Sequence, residues 1–212
     1  MTEKDLSSFR KDYNLSSLRK SFLEESPFLQ FDKWFQEAVS FGDFEANAMT
    51  LATVNSKNQP SARIVLLKKY SAKGFIFYTN YESKKGQELI ANSKASLLFF
   101  WEKMQRQIRI EGVVEKISEE DSIKYFSSRP LQSQIAAAIS PQSQIIPNRE
   151  FLEKRYKAVQ SKNKVEKPEK WGGFCLKPNY LEFWQGGAHR LHDRLAFQKE
   201  TNAQWKIIRL AP

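Results

Sequence analysis

Cysteine occurs once in the 212 residues, as Cys175, so no intrachain disulfide can form and a reducing compartment is expected. Histidine occurs twice, which with one cysteine leaves too few ligands for a zinc site of the usual His/Cys kind. The eight glycines form neither G-x-G-x-x-G nor G-x-x-x-x-G-K-[ST], so the dinucleotide and P-loop phosphate fingerprints are both missing. No apolar run reaches the roughly 18 residues that a spanning helix needs. The first twenty residues carry charges throughout and lack the apolar stretch of a signal peptide. A cytoplasmic protein with no membrane partner is expected. Regular β-α-β alternation is absent too, which argues against a doubly wound parallel sheet.

What remains is rich in large apolar side chains. Hydrophobic residues make up 41%, with 16 Phe and 5 Trp, too much for a disordered chain. A chain of this length buries roughly 70% of its unfolded surface, so it needs neither a disulfide nor a metal to fold. Lys plus Arg number 34 against 24 acidic residues, a net charge of +10 that favours anionic partners, whether nucleic acid or phosphorylated small molecules. Part of the excess lies in the Lys-rich stretch SKNKVEKPEK (161–170), which reads as a solvated loop.

Residues 1–25 are polar with scattered Leu and Phe and read as an arm, with a single domain over 26–212. FDKWFQEAVSF (31–41) places Phe31, Trp34, Phe35 and Val39 at helical spacing, with Asp32 as candidate cap. The period then changes. Short β-rich runs at 48–54, 62–70, 74–80, 95–101 and 106–117 are separated by turn signals. Helices are expected at 83–93, capped by Ser83, at 118–129 from Ser118 and Asp121, and at 133–140 and 148–162. Strands near 172–177, 180–185, 193–199 and 204–209 end the chain. A mostly antiparallel barrel with flanking helices is the expected fold.

Three clusters could carry chemistry. In LEFWQGGAHRLHDR (181–194) a Gly186–Gly187 turn precedes a predicted strand, on which period two puts Arg190, His192 and Arg194 on one face, with Trp184 returning as a wall. Two cations beside an imidazole repel unless an anion or electron-rich ring lies between them; the plain alternative is a charged edge strand. Tyr125 and Arg129, four apart on a predicted helix, share a face, and Ser133 begins the next helix after Pro130; together they suit a phosphate dianion, or else are a surface Tyr and an ordinary cap. Arg63 and Lys68 flank an apolar strand, while Lys84 and Lys85 oppose a helix dipole in its first turn, which suits a bound phosphate or is scattered basic surface. Two phosphate sites around apolar walls fit a phosphorylated cofactor and a phosphorylated substrate. A nucleic-acid binder would show one continuous basic stripe with interleaved aromatics, so no nucleic-acid partner is expected.

LEFWQGGAHRLHDR closely resembles the signature of the pyridoxine (pyridoxamine) 5′-phosphate oxidases. RIVLLK, FYTN, SLLFFW, RQIRIEG, KYFSSRP, SQIAAAIS, WGGF and WKIIRLAP match family blocks in the family's order, from about Arg10 to Pro212. The resemblance implies a mainly β, split β-barrel of mostly antiparallel Greek-key type with flanking helices, as a homodimer with FMN at the subunit interface. It implies FMN-dependent oxidation of pyridoxine 5′-phosphate or pyridoxamine 5′-phosphate to pyridoxal 5′-phosphate, with O2 as acceptor and H2O2 released. Alternatives are a split-barrel flavoprotein acting on another substrate and a non-catalytic FMN-binding protein.

Carried over position by position, the resemblance implies FMN contacts at Arg63, Ile64, Val65, Leu66, Lys68, Tyr78, Thr79, Lys84, Lys85, Gln107, Gln142, Ser143, Trp184 and Arg194. It implies substrate-phosphate contacts at Lys68, Tyr125, Arg129 and Ser133. Arg190 and His192 would lie against the substrate ring as the catalytic pair, and Arg10 and Tyr13 would belong to an arm covering the occupied site. Two positions depart from the family's pattern. Lys84 stands where Arg is more frequent, keeping the charge but losing the bidentate fork; Ala188 replaces an often polar residue.

Overall fold

The computed structural model describes residues 4–8, 11–42, 45–160 and 164–212, so Arg10 and residues 161–163 of the Lys-rich stretch lie outside the described residues. Helix α1 (Pro27–Ser40) precedes strands β1 (Ala48–Val54), β2 (Pro60–Leu66), β3 (Lys69–Ser71) and β4 (Gly74–Asn80). Helix α2 (Lys84–Ala91), strands β5 (Lys94–Trp101) and β6 (Arg106–Lys116), and helices α3 (Glu119–Ser128), α4 (Leu131–Ile139) and α5 (Arg149–Gln160) follow. Strands β7 (Trp171–Gln185), β8 (Asp193–Lys199) and β9 (Trp205–Leu210) come last. The hydrogen-bonded order is β2-β1-β5-β6-β7-β4-β3, with β8 added to β7 and β9 to β8. Contacts divide the chain into two compact units: an N/C unit formed by residues up to Ala46, Leu98–Ile110 and Asn179–Pro212, and a middle unit formed by Asn47–Leu97 and Glu111–Pro178. Among the described residues no helix is long and apolar enough to cross a membrane, and no group of three or more His, Cys, Asp or Glu could hold a metal.

In the middle unit, β1 alternates strictly, burying Met49, Leu51 and Thr53, as a strand with one covered face must. It pairs antiparallel with β2, Leu51 opposite Arg63. The run 62–70, expected as one strand, is two. The Leu67 amide donates to Asn47 O, but the next amide, Lys68, donates to Ile76 O on β4. Strands β2 and β3 stand at opposite ends of the strand order yet are joined by two residues. Three Cα–Cα steps separate Leu66 from Lys69, a reach of at most about 11 Å, so this sheet curls until its ends come close. Helix α2 begins where expected: Ser83 Oγ accepts from the Gly86 amide. Helix α3 likewise starts on Ser118, whose Oγ accepts from Asp121 N, with Glu119, Glu120 and Asp121 favourably placed in its first turn. It ends one residue sooner than expected: Arg129 is extended and outside the helix, as the residue before a proline tends to be.

In the N/C unit, α1 is capped by Ser26, whose Oγ accepts from Leu29 N, with Pro27 preset for the first helical position. Asp32, the expected cap, is therefore inside the helix. Phe31, Trp34 and Ala38 form its buried stripe, while Val39 is half exposed. Phe31 packs edge-on to Phe99 and Trp34 to Phe183, at 5.2 and 5.3 Å between centroids. Strand β7, expected as two strands broken at Pro178, runs through: Trp171–Leu176 pair with β4 and Tyr180–Gln185 pair with β8. Proline is tolerated because it falls where the partner changes, so neither of these ladders loses a bond.

Candidate functional site

The middle unit contains a cavity of about 430 Å³. Its walls are Ile64, Val65 and Leu66 from β2, Tyr78, Thr79 and Asn80 from β4, Ala136, Ala137 and Ser140 at the end of α4, and Trp171. Lys68, Lys85, Tyr125, Arg129 and Gln142 complete the lining. Three of the lining residues are cations and none is a carboxylate. The aromatics form a stack: Tyr78 lies on Tyr125 with centroids 3.8 Å apart and planes 20° apart, and Trp171 continues it 5.4 Å from Tyr78. The Arg129 guanidinium covers Trp171 at 4.9 Å, and burial lowers its pKa. Its Nη1 is buried without a hydrogen-bond partner among the described residues. A guanidinium with a buried idle donor carries a cost of about 1–3 kcal/mol unless an acceptor is supplied.

Lys85 is also buried, and its Nζ donates to Thr79 Oγ1 at 3.2 Å and Ser83 Oγ at 3.4 Å, both neutral. Burial lowers its pKa, the Arg63 charge adds to that, and Glu88 opposes it. Gln142 Oε1 accepts from Thr79 Oγ1 and from the Asn80 amide, tying the loop after α4 to the end of β4. Ser143 is left-handed at φ 71°. Burial, helped by Tyr125, pushes the Tyr78 phenol up to about 12, so it stays a neutral donor.

Arg63 is placed differently from the cavity cations. Its Nη1 donates to Thr53 Oγ1 and Leu51 O, and its Nη2 to Ser61 Oγ and to Glu88 Oε2 at 3.1 Å. Burial alone would raise the Glu88 carboxyl, but hydrogen bonds from Thr53, Ser61 and Arg63, and the Arg63 charge, hold it below the usual range. Arg63, exposed Lys84, Ser133 and Ser143 are not among the lining residues. Glu88 escaped the sequence reading, although a glutamate one helical turn after Lys84 and Lys85 was a visible signal.

The N/C unit contains a second cavity, about 700 Å³, lined by Lys11, Asp12 and Tyr13 from the arm and by Gly187, His189, Arg190 and His192. Here the expected strand face is not found. Strand β8 starts only at Asp193, opposite Gln185, and Ala188–Leu191 form a kinked turn closed by the Leu191 amide donating to Ala188 O. His189 and Arg190 are both left-handed, at φ 54° and 62°, a conformation incompatible with a ladder. Arg190, His192 and Arg194 therefore do not alternate along one strand; a strained turn brings Arg190 and His192 to one cavity. His189, overlooked in the sequence, lines it too.

The Gly187 amide donates to His192 Nδ1 at 3.2 Å. A nitrogen that accepts carries no proton, so the neutral ring presents Nε2–H as a donor. Trp184 stacks obliquely on His192 at 4.8 Å, and Tyr13 meets both rings edge-on at 5.7 and 5.8 Å. Arg194 is engaged elsewhere: its Nε pairs with buried Glu182 Oε1 at 2.7 Å and its Nη1 donates to Ala211 O. Arg109 and Tyr180 bind the other oxygen of Glu182. Gln107 is half buried in β6.

Comparison with known proteins agrees with these features. Residues 35–163 match the family model described as pyridoxamine 5′-phosphate oxidase, and residues 171–212 the one described as the pyridoxine 5′-phosphate oxidase C-terminal dimerisation region. A pyridoxine/pyridoxamine 5′-phosphate oxidase of Leptospira interrogans is 51% identical over 98% of both chains, and that of Microcystis aeruginosa 49% identical over the same shares. The crystal structure of PhzG from Burkholderia lata in complex with tetrahydrophenazine-1-carboxylic acid superposes with a TM-score of 0.87 at 27% identity, covering 94% of this chain and all of that one. The mainly β split-barrel fold with flanking helices is thus borne out. Matched by the family model over more than half its length and by relatives over nearly all of it, the chain belongs to the pyridoxamine 5′-phosphate oxidase family.

Proposed function

We propose that the protein is an FMN-dependent oxidase that converts pyridoxine 5′-phosphate or pyridoxamine 5′-phosphate to pyridoxal 5′-phosphate, with O2 as acceptor and release of H2O2, acting as a homodimer with FMN at the subunit interface. The observation that carries this reading is the carboxylate-free cavity lined by Lys68, Lys85 and Arg129, with Arg129 Nη1 buried and unpartnered among the described residues. Cations with neutral or absent partners, Lys85 buried and Arg129 half-buried beside exposed Lys68, call for a multiply charged anion, and phosphate supplies several acceptor oxygens to such donors. The apolar strand edge Ile64–Leu66 and the Tyr78–Tyr125–Trp171 stack fit flat rings.

In this reading Lys68, Tyr125, Arg129 and Ser133 hold the substrate phosphate. Arg63, Lys84 and Lys85 hold that of FMN, with Glu88 keeping Arg63 oriented. Ile64, Val65, Leu66, Tyr78, Thr79, Gln107, Gln142, Ser143, Trp184 and Arg194 complete the flavin contacts. When bound, FMN supplies the hydride acceptor. Anchoring each ring by its phosphate removes translational freedom, an effect that in model systems reaches about 7–11 kcal/mol. Arg190 brings a permanent charge to the reacting substituent. His192, its Nδ1 occupied by the Gly187 amide, donates from Nε2 and orients the substrate ring; as the neutral tautomer it has no free lone pair with which to act as base.

The test is formation of pyridoxal 5′-phosphate with stoichiometric O2 uptake by FMN-loaded protein. A flavin-loaded protein that turns over neither phosphorylated substrate would overturn the reading. A second reading, oxidation of a different ring substrate, is favoured by the fold likeness to PhzG in complex with a carboxylic acid. The two part on the phosphate: equal turnover of pyridoxamine and pyridoxamine 5′-phosphate would favour the second.

A further inference from the structure

Gln105 lies in the short connection between β5 and β6 and adopts a left-handed backbone at φ 53°. Asn or Gly is the residue that such a turn ordinarily selects. Gln105 is also buried, with 7% of its surface exposed, which for a long amide demands an explanation. Its bonds supply one. The side-chain Oε1 accepts from the backbone amides of Asn14 and Leu15, at 3.1 and 3.4 Å. Its backbone carbonyl accepts from the Gly186 amide at 2.8 Å and from Gln185 Nε2 at 3.2 Å. One residue therefore grips the arm next to Tyr13 and the end of β7 that leads into the Gly187–His192 turn. These are the two sides of the 700 Å³ cavity, Lys11, Asp12 and Tyr13 on one and Gly187, His189, Arg190 and His192 on the other. The fit is tight: a Cβ on Gly186 would lie 2.8 Å from Tyr13 Cβ and 3.1 Å from Gln105 Cβ.

We infer that Gln105 is a positioning residue, a latch whose side-chain carbonyl holds the arm by the Asn14 and Leu15 amides and so keeps Tyr13 against Trp184 and His192. This rests on the proposed oxidase reading only for its consequence in catalysis; the latch itself is independent of it. Gln105→Asn tests it well. Asparagine favours the left-handed backbone but is one methylene shorter, so the turn is kept and the reach to the arm is lost. Gln105→Glu keeps both reach and acceptor and is the rescue variant.

In the full-length protein, with and without FMN, hydrogen exchange of the arm segment 11–18 is expected to accelerate about tenfold or more in Gln105→Asn and to stay within about threefold of the parent in Gln105→Glu. With pyridoxamine 5′-phosphate, Gln105→Asn should raise KM about three- to tenfold while kcat and FMN affinity move less than about twofold. Asn14→Pro removes the stronger donor from the arm side without touching the turn, and should give the same exchange change if Gln105→Asn fails to fold. Unchanged exchange in either variant, or Gln105→Glu as fast as Gln105→Asn, overturns the latch. Faster exchange in a protein that oxidises no pyridoxamine 5′-phosphate would leave the latch standing and reject the oxidase reading instead.

Discussion

Arg129→Met separates what the half-buried guanidinium does for a ligand from what it does for the fold. Its Nη1 has no partner among the described residues, and its charge lies over Trp171 at 4.9 Å. Without ligand the substitution removes a buried idle donor, worth about 1–3 kcal/mol of relief. It also loses a cation–π contact of about 0.5–2 kcal/mol, partly replaced by a sulfur–aromatic one. These terms nearly cancel, so the melting temperature of the ligand-free protein should move by no more than a few degrees. With a phosphorylated ligand the balance is one-sided. A charge-assisted hydrogen bond contributes about 1.5–3 kcal/mol, so affinity should fall roughly 10- to 150-fold. Titration with pyridoxal 5′-phosphate, alongside KM for pyridoxamine 5′-phosphate and a thermal melt, reads all three. An affinity loss under about threefold, with the melt unchanged, would refute the assignment of Arg129 to the phosphate.

Lys85→Met should raise the stability of the ligand-free protein, measured by urea denaturation near neutral pH, because burial disfavours the ammonium, while weakening FMN binding by about tenfold or more. Tyr78 keeps its proton up to about 12 in the folded state, against about 10 unfolded, so between those values the folded state binds more protons and stability falls as pH rises. Tyr78→Phe should show a smaller loss of urea midpoint between about pH 9 and 11.5, and an identical loss would remove Tyr78 as a contributor. Arg190→Met is expected to lower kcat far more than FMN affinity, judged by steady-state rates and flavin titration; an unchanged kcat would take Arg190 out of the reaction.

Much of the fold was legible because local chemistry and tertiary demand agree. Ser83 and Ser118 cap their helices as serine hydroxyls do, and β1, β4 and β8 begin and end where the expected strand runs do. Two of the errors share one cause, a long-range partner that no window of sequence displays. The run 62–70 splits because Leu67 and Lys68 bond to different strands, and β7 passes Pro178 because its partner changes there. At the site, the cations of the middle-unit cavity were visible as residue types. What escaped was which of the candidate cations have partners: Arg63, outside that cavity, is neutralised by Glu88, and Arg194, in the N/C unit, by Glu182, whereas Lys85 has only hydroxyls. The face proposed for Arg190, His192 and Arg194 failed because two successive left-handed residues follow the glycine pair, a choice that period-two reasoning does not anticipate.

The two-residue bridge Leu67–Lys68 has an evolutionary corollary. Surface turns such as Lys57–Asn58 can lengthen at small thermodynamic cost, since loop closure depends only weakly on length. The bridge cannot, because its amides are committed to opposite margins of one curled sheet. A gained or lost residue there would shift a whole margin and carry the lysine away from the cavity mouth. Natural length variation should therefore gather in the outer turns and spare this hinge-free joint, whose ammonium is aimed by topology more than by its neighbours.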